Sequence, residues 1–151
     1  MTRVQLASLA ALGSAGLMAG AFAFQLLGYA PCKMCLWQRY PHVVAMALGV
    51  VFVFFRHPSV LVAGALAALT TAGIGFFHVG VEQGWWPGPS TCSAGPVGDL
   101  SADDLFDQIM TAPLVRCDDI AWSLFGLSMA GWNALISLAL AAFWVAALRR
   151  A

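Results

Sequence analysis

Four cysteines, arranged as one tight pair and one wide pair, are the residues of this sequence best suited to chemistry. Cys32 and Cys35 stand three positions apart in the stretch YAPCKMCLWQRYPH, residues 29–42, whereas Cys92 and Cys117 are 25 positions apart. Sulfurs in such patterns can bind a metal ion, join the chain covalently or transfer electrons by disulfide exchange. The spacing and the neighbouring residues separate these three uses.

A metal site suits this spacing poorly. Zinc sites built from four cysteines usually show two tight pairs, and only one pair here is tight. Covalent haem attachment requires a histidine directly after C-x-x-C, and Leu36 occupies that position. We therefore predict no metal ligands among these cysteines.

The tight pair, Cys32 and Cys35, has the features of a redox-active pair. A bond across so small a ring removes little chain freedom, so it would stabilise the fold only weakly. Lys33 lies between the two sulfurs and Arg39 follows them closely. Because nearby cations stabilise a thiolate and a strained ring is easily reduced, this pair is predicted to exchange electrons.

The wide pair, Cys92 and Cys117, admits two interpretations. A structural disulfide that closes a loop of about 26 residues would stabilise the fold by about 3.5 kcal/mol. A redox role becomes more favourable when both pairs face the same compartment, because disulfides pass electrons by exchange. The residues of the pair leave both interpretations open.

The elements that must position these cysteines are membrane-spanning helices. Of the 151 residues, 61% are apolar and only 9% are charged, whereas soluble domains are about 45–50% apolar and about 25% charged. Four apolar runs predict helical spans, because lipid cannot satisfy free backbone groups. We therefore predict an all-α fold, a four-helix transmembrane bundle in a single integral membrane domain, residues 1–151. The predicted spans are approximately residues 6–29, 41–56, 60–79 and 122–148.

Two loops on one side of the bundle carry the cysteines: a short loop, residues 30–40, and a long loop, residues 80–121. Ser101 and Asp104 form a capping-box-like start for a short helix in the long loop. The apolar residues that follow share one face through about Met110, so this helix is expected to lie on the membrane surface.

Charge placement predicts the orientation. Four cations, Arg3, Arg56, Arg149 and Arg150, fall at one end of the spans, whereas three, Lys33, Arg39 and Arg116, fall at the other end together with all seven acids, which lie between residues 82 and 119. Because Lys and Arg near span ends favour the cytoplasm, both termini are expected there and both cysteine loops in the periplasm. The first apolar run is too long for the apolar region of a signal peptide, so it is expected to remain as a span. No basic stripe suggests a nucleic-acid partner.

Small residues recur within the predicted spans. Gly16-x-x-x-Gly20 would let a neighbouring helix approach closely, as would Gly64 and Ala68. The alternative is that small residues are simply common in membrane helices.

A thiol pair at the membrane edge requires an electron acceptor, and a lipid-soluble quinone accepts the two electrons that two thiols release. Arg39 could hydrogen-bond a quinone carbonyl, or it could only anchor the helix at the interface. His78, near the end of the third span, could donate to the other quinone oxygen or carry a proton. Pro41 is expected in the first turn of the second span, and Tyr40 before it is biased away from helix. Cys35 and Arg39 therefore need not share a helical face.

The chain resembles the disulfide bond formation protein B (DsbB) family over nearly its whole length. The resemblance rests on four spans, the PCKMC motif at residues 31–35, Arg39 behind it and a second cysteine pair in the long loop. It implies a bacterial inner-membrane bundle that reoxidises a DsbA-like periplasmic protein of thioredoxin fold. The electrons would pass to ubiquinone, or to menaquinone in the absence of oxygen.

The same resemblance assigns an order to the four cysteines. Cys92 would be attacked by the thiolate of the partner, and Cys117 would leave and then attack Cys32. Cys35 would be released as the thiolate that faces the quinone.

Three further positions are compared with the family. Arg39 matches its quinone-side arginine, and His78 falls near its third-span histidine. Gln38 stands where family members often have Glu, which removes a possible carboxylate partner of Arg39.

Two other functions are weighed against thiol oxidation. Proteins resembling the vitamin K epoxide reductase family also have four helices and two cysteine pairs, but their membrane-proximal C-x-x-C comes late in the chain. A non-enzymatic scaffold or small transporter with structural disulfides is the third possibility. A transporter would need polar groups within the spans, and only Gln25 and Asn133 are candidates. Thiol oxidation is therefore the leading prediction.

Overall fold

The computed structural model describes residues 1–93, 101–111 and 115–150. Within these ranges, four helices are long and apolar enough to cross a membrane, which confirms the prediction of an all-α membrane bundle. A fifth, short helix and a two-stranded antiparallel hairpin lie between the third and the last span. In chain order the elements are α1 (Arg3–Leu26), α2 (Lys33–Phe55), α3 (Pro58–Glu82), α4 (Ala102–Thr111), β1 (Ser123–Leu124), β2 (Leu127–Ser128) and α5 (Met129–Arg149).

Polar side chains and a proline fix where three of the spans begin. Thr2 and Gln5 form a capping box at α1, in which each side chain bonds the backbone N–H of the other. The hydroxyl of Ser128 accepts the N–H of Gly131 at 3.2 Å and so starts α5. Pro58 occupies the first turn of α3, where a missing N–H leaves no helical bond unmade.

The bundle is held together by close approach of small residues. Helix α3 packs against α2 and α5, and α1 packs against the same two helices. A Cβ placed on Gly64 would lie 2.6 Å from the ring of Trp144, which is fully buried. A Cβ on Gly49 would lie 2.3 Å from the Cβ of Ala11. These contacts confirm the close approach expected at Gly64, because only glycine leaves room for the indole.

Helix α2 begins at Lys33, well before the expected start at residue 41. The sulfur of Cys32 caps the helix by accepting the N–H of Cys35 at 3.2 Å, so the first turn forms directly after Cys32. Pro41 therefore lies inside the helix and not in its first turn. Cys35 and Arg39 consequently stand one turn apart on the same helix, contrary to the argument from the proline.

The last span also begins later than expected, at Met129. Residues 123–128 form the hairpin, and Phe125 and Gly126 adopt positive φ angles of 51° and 80° in its turn. Two central residues with positive φ are typical of tight hairpin turns. The apolar run from residue 122 could not reveal this turn, because apolar composition alone does not distinguish a strand from a helix.

The short helix of the long loop is present where the cap predicts it. The hydroxyl of Ser101 accepts the N–H of Asp104 at 3.2 Å and donates to its carboxylate at 2.6 Å. Phe106, Ile109 and Met110 are exposed on α4. Its location on the membrane surface stays a prediction, and residues 94–100 and 112–114 of the long loop lie outside the described part of the chain.

Candidate active site

The two cysteine pairs share one buried cluster at the end of the bundle where α2 begins. Cys92 and Cys117 are joined by a disulfide, and their Cα atoms are 5.3 Å apart. Cys32 and Cys35 are free thiols whose sulfurs lie 2.9 Å apart. Cys32 packs in the same cluster as the disulfide, and Cys35 packs against it. The arrangement therefore brings together sulfurs that are up to 85 positions apart in the sequence, from 32 to 117.

The start of α2 distinguishes the two thiols of the tight pair. Cys32 stands before the first turn, whereas Cys35 lies within it, where the helix dipole favours negative charge. The neighbouring sulfur of Cys35, together with burial, raises the pKa of the Cys32 thiol well above its ordinary value. When one proton leaves the pair, the negative charge therefore rests on Cys35.

His78 of α3 lies between the two pairs. Its Nε2 is 3.6 Å from the sulfur of Cys32 and 3.1 Å from the backbone oxygen of Cys117. The carboxylate of Glu82, one turn later on α3, lies 3.9 Å from the same nitrogen. Only 3% of His78 is exposed, so this ring is a buried bridge between the pairs.

A buried polar network continues from the other nitrogen of His78 into the bundle. The amide nitrogen of Gln38 lies 3.0 Å from His78 Nδ1, and Asn133 donates to the Gln38 amide oxygen at 2.7 Å. Asn133 Oδ1 in turn lies 2.8 Å from Nε2 of His42. The hydroxyl of Thr71 donates to the backbone oxygen of Gln38 at 3.0 Å. Polar groups at this depth are costly unless paired, and this network pairs most of them across three helices, although Nδ1 of His42 has no partner among the described residues.

Arg39 extends from α2 to α1. It donates to the side-chain oxygen of Gln25 at 3.0 Å and to the backbone oxygen of Ala21 at 3.4 Å. Its guanidinium also lies 5.0 Å from the centre of the Phe22 ring, a cation–π distance. The arginine is thus held in place one turn beyond Cys35.

A cavity of about 250 Å³ opens beside these residues. Its lining includes Gly16, Gly20, Cys35, Arg39, His78 and Trp132. A Cβ on either glycine would meet nothing within 4 Å. The expectation that Gly16 and Gly20 bring a neighbouring helix close is therefore wrong, because these glycines border open space.

Comparison with known proteins assigns the family. The family model described as disulfide bond formation protein DsbB matches residues 3–147. The chain belongs to the DsbB family. Its DsbB-family relatives include proteins named disulfide bond formation protein B, and no solved structure matches the chain.

Three of these DsbB-family relatives indicate the extent of the similarity. The protein of Polaromonas sp. (strain JS666) is 29% identical over 149 residues, which cover 89% of this chain and 83% of that protein. That of Verminephrobacter eiseniae is 32% identical over 148 residues, covering 89% and 78%. That of Dechloromonas aromatica is 33% identical over 146 residues, covering 89% and 85%. The chain is accordingly a multi-pass membrane protein of disulfide bond formation, with the role of a disulfide-forming oxidoreductase.

Two further residues belong to this candidate site, although the sequence does not predict them there. Gln38 falls in the predicted short loop, yet it lies within α2, is buried and faces His78 and Asn133. Glu82 falls in the predicted long loop, yet it lies at the end of α3, and its side chain is only 5% exposed and accepts a hydrogen bond from the hydroxyl of Ser128. The spacing of four between His78 and Glu82 was a usable indication, because such residues share a helical face.

Proposed function

We propose that this chain is a thiol oxidase of the bacterial inner membrane. It reoxidises a DsbA-like periplasmic protein of thioredoxin fold by disulfide exchange and passes the electrons to a membrane quinone. One observation carries the proposal: a disulfide, Cys92–Cys117, and a thiol pair, Cys32 and Cys35, share one buried cluster beside an open cavity. Such sulfurs can exchange partners without a large movement of the bundle.

The cycle starts with Cys32 and Cys35 joined as a disulfide. A thiolate of the partner attacks Cys92, so the Cys92–Cys117 bond breaks and Cys117 leaves as a thiolate. Cys117 then attacks Cys32, and Cys35 is released as a thiolate. The second thiolate of the partner breaks the mixed disulfide, and the partner departs oxidised. Cys92 finally attacks Cys117, which restores their bond and releases Cys32, so two electrons now reside on the tight pair.

Access of the partner requires a local movement. Only 1% of Cys92 is exposed, and its sulfur packs in the cluster with Val81 and Trp86. Docking of the partner must therefore displace the chain around Cys92 before the thiolate can reach it.

The residues around the cavity fit a quinone. A planar ring needs open space with an apolar wall, and Gly16 and Gly20 leave that space. Carbonyl oxygens need a donor, which Arg39 would provide on the lining of the same cavity. When bound, ubiquinone or menaquinone supplies an acceptor for two electrons and two protons. Cys35 lines this cavity too, so the released thiolate faces the acceptor.

The orientation follows from the two ends of α2. Cys32 caps its beginning and Arg56 caps its end, so the cysteine cluster and the arginines lie at opposite ends. Arg3, Arg56 and Arg150 line one cleft at the second end. Because clustered arginines favour the cytoplasm, both termini lie there and the cysteines face the periplasm.

Filling the cavity tests the quinone half of the proposal. We expect Gly20→Leu to raise the quinone KM about tenfold, equivalent to about 1.4 kcal/mol, because the new side chain occupies the space of the ring. Exchange between Cys92 and the partner should be unchanged. The measurement is steady-state quinone reduction with reduced partner protein, at several quinone concentrations.

The matched control is Gly73→Leu. Gly73 is an exposed helical glycine whose added Cβ would also meet nothing within 4 Å, but it does not line the cavity. Its KM should equal that of the unsubstituted protein. Equal KM values for both variants would remove this cavity as the quinone site.

A further inference from the structure

The hydrogen bonds around Gln38 fix the orientation of its amide. Its Nε2 donates to the backbone oxygen of Met34 at 3.3 Å, and a carbonyl oxygen can only accept. Its Oε1 receives the Asn133 amide at 2.7 Å. If the amide of Gln38 were flipped, its oxygen would face the backbone oxygen of Met34, and its N–H groups would face the N–H groups of Asn133. The second N–H of Gln38 therefore points at His78 Nδ1, 3.0 Å away.

The proton of His78 follows from this orientation. Because Nδ1 must accept, a neutral ring carries its proton on Nε2. That nitrogen faces the backbone oxygen of Cys117 at 3.1 Å, and a carbonyl oxygen can only accept. Both ends of the ring thus require the same tautomer. We propose that Gln38, held by Asn133, is a positioning residue that locks His78 in the Nε2–H tautomer and aims this proton at the sulfur cluster.

In the proposed exchange sequence, the Nε2 proton of His78 can stabilise a departing thiolate. This part of the inference rests on the proposed function. Cys32 is the sulfur released when Cys92 re-forms its bond with Cys117. Its Sγ lies 3.6 Å from His78 Nε2, within reach of a donor as negative charge collects on it. A hydrogen bond to the departing thiolate stabilises it in a site where water is scarce.

The contact with Gln38 opposes a second proton on the ring of His78. Its titratable neighbours are Cys32, which caps α2, Cys35 of α2 and Glu82 of its own helix, while Asn133 of α5, which is uncharged, reaches it only through Gln38. A second proton on Nδ1 would point at the N–H of Gln38.

Cys32, Cys35 and His78 also place three potential metal ligands within 4.8 Å of one another. The proton on Nε2 occupies the lone pair that a metal ion would need.

Nitrogen NMR of the protein labelled with ¹⁵N-histidine tests the tautomer without partner or quinone. We expect His78, assigned by the signal lost in His78→Gln, to show an unprotonated Nδ1 and a protonated Nε2. In Gln38→Glu the carboxylate can only accept, so Nδ1 should become protonated. Ser137→Ala, which removes a buried hydroxyl without a partner, should leave the spectrum unchanged.

The unsubstituted protein decides the matter even if Gln38→Glu fails to fold, since a protonated Nδ1 there would overturn the proposal. An unchanged His78 spectrum in a folded Gln38→Glu protein would overturn it too.

The rate of disulfide exchange between the two cysteine pairs adds a second readout. In the unsubstituted protein, a plot of this rate against pH should show no change caused by titration of a histidine between about pH 5 and 8. In Gln38→Glu, the plot should show one. A correct tautomer with no exchange would instead contradict the proposed function alone.

Discussion

Cys35→Ser is expected to abolish quinone reduction by the reduced partner, with a loss of at least about a thousandfold. Cys35 lines the cavity and is the sulfur that the proposed cycle releases towards the acceptor, and serine cannot form the disulfide that passes electrons onward. The assay follows quinone absorbance in mild detergent, without oxygen, after addition of a reduced periplasmic dithiol protein. The same variant should still exchange with the partner through Cys92 and Cys117, because that disulfide is intact.

A control variant separates this effect from damage to the bundle. Thr70→Ala removes an exposed hydroxyl that donates only to the backbone oxygen of Leu66 in its own helix, at 2.8 Å. This variant should turn over at the rate of the unsubstituted protein. Undiminished turnover by Cys35→Ser would take Cys35 out of the electron path.

Cys117→Ala should trap the partner on Cys92. The substitution breaks the disulfide and leaves Cys92 as a thiol without the neighbour that would displace a bound partner. The partner is prepared with a single cysteine, activated as a mixed disulfide with thionitrobenzoate. Cys92 attacks the partner sulfur, the new bond forms and coloured thionitrobenzoate departs. The colour gives the rate, and mass spectrometry of the digest gives the linked residue.

In the Cys117→Ala protein, the thiols of Cys32, Cys35 and Cys92 can all react with the partner. The residue that becomes linked to the partner therefore identifies the point of entry. We expect the partner on Cys92, with Cys32 and Cys35 left free. Cys92→Ala is the matched variant, and it should react more slowly because the proposed order makes Cys92, and not Cys117, the sulfur that meets the partner. A partner linked to Cys32 in Cys117→Ala would reverse the order of the two pairs.

The sequence predicts the helices well but not all of their beginnings. Apolar runs indicate four spans because lipid tolerates few other structures. The start of α2 was missed because Pro41 suggested a first turn, whereas Cys32, a residue outside the usual capping types, supplies the cap. The hairpin at residues 123–128 was missed because its apolar residues carry no period that separates it from α5.

The candidate site, like the fold, is predicted only in part from the sequence. Residue types and spacing suffice to predict redox chemistry for Cys32 and Cys35, because that chemistry depends on the sulfurs and on nearby charge. The polar network requires contacts between distant positions, such as Gln38 with Asn133 at 2.7 Å, which no local pattern encodes. Starting α2 too late placed Gln38 in a loop and so concealed its place in the network. Gly16 and Gly20 likewise have the spacing of a helix contact, although they border a cavity.

Exchange between the two pairs within one chain is the central claim, and disulfide mapping tests it most directly. In a protein carrying both Cys35→Ser and Cys92→Ala, only Cys32 and Cys117 remain as thiols. After mild oxidation, we predict that mass spectrometry finds a peptide joining Cys32 to Cys117. The matched protein with Cys32→Ser and Cys92→Ala, which keeps Cys35, should yield far less of a joined peptide. Two unjoined thiols in the first protein, with the bundle folded, would contradict electron transfer between the pairs.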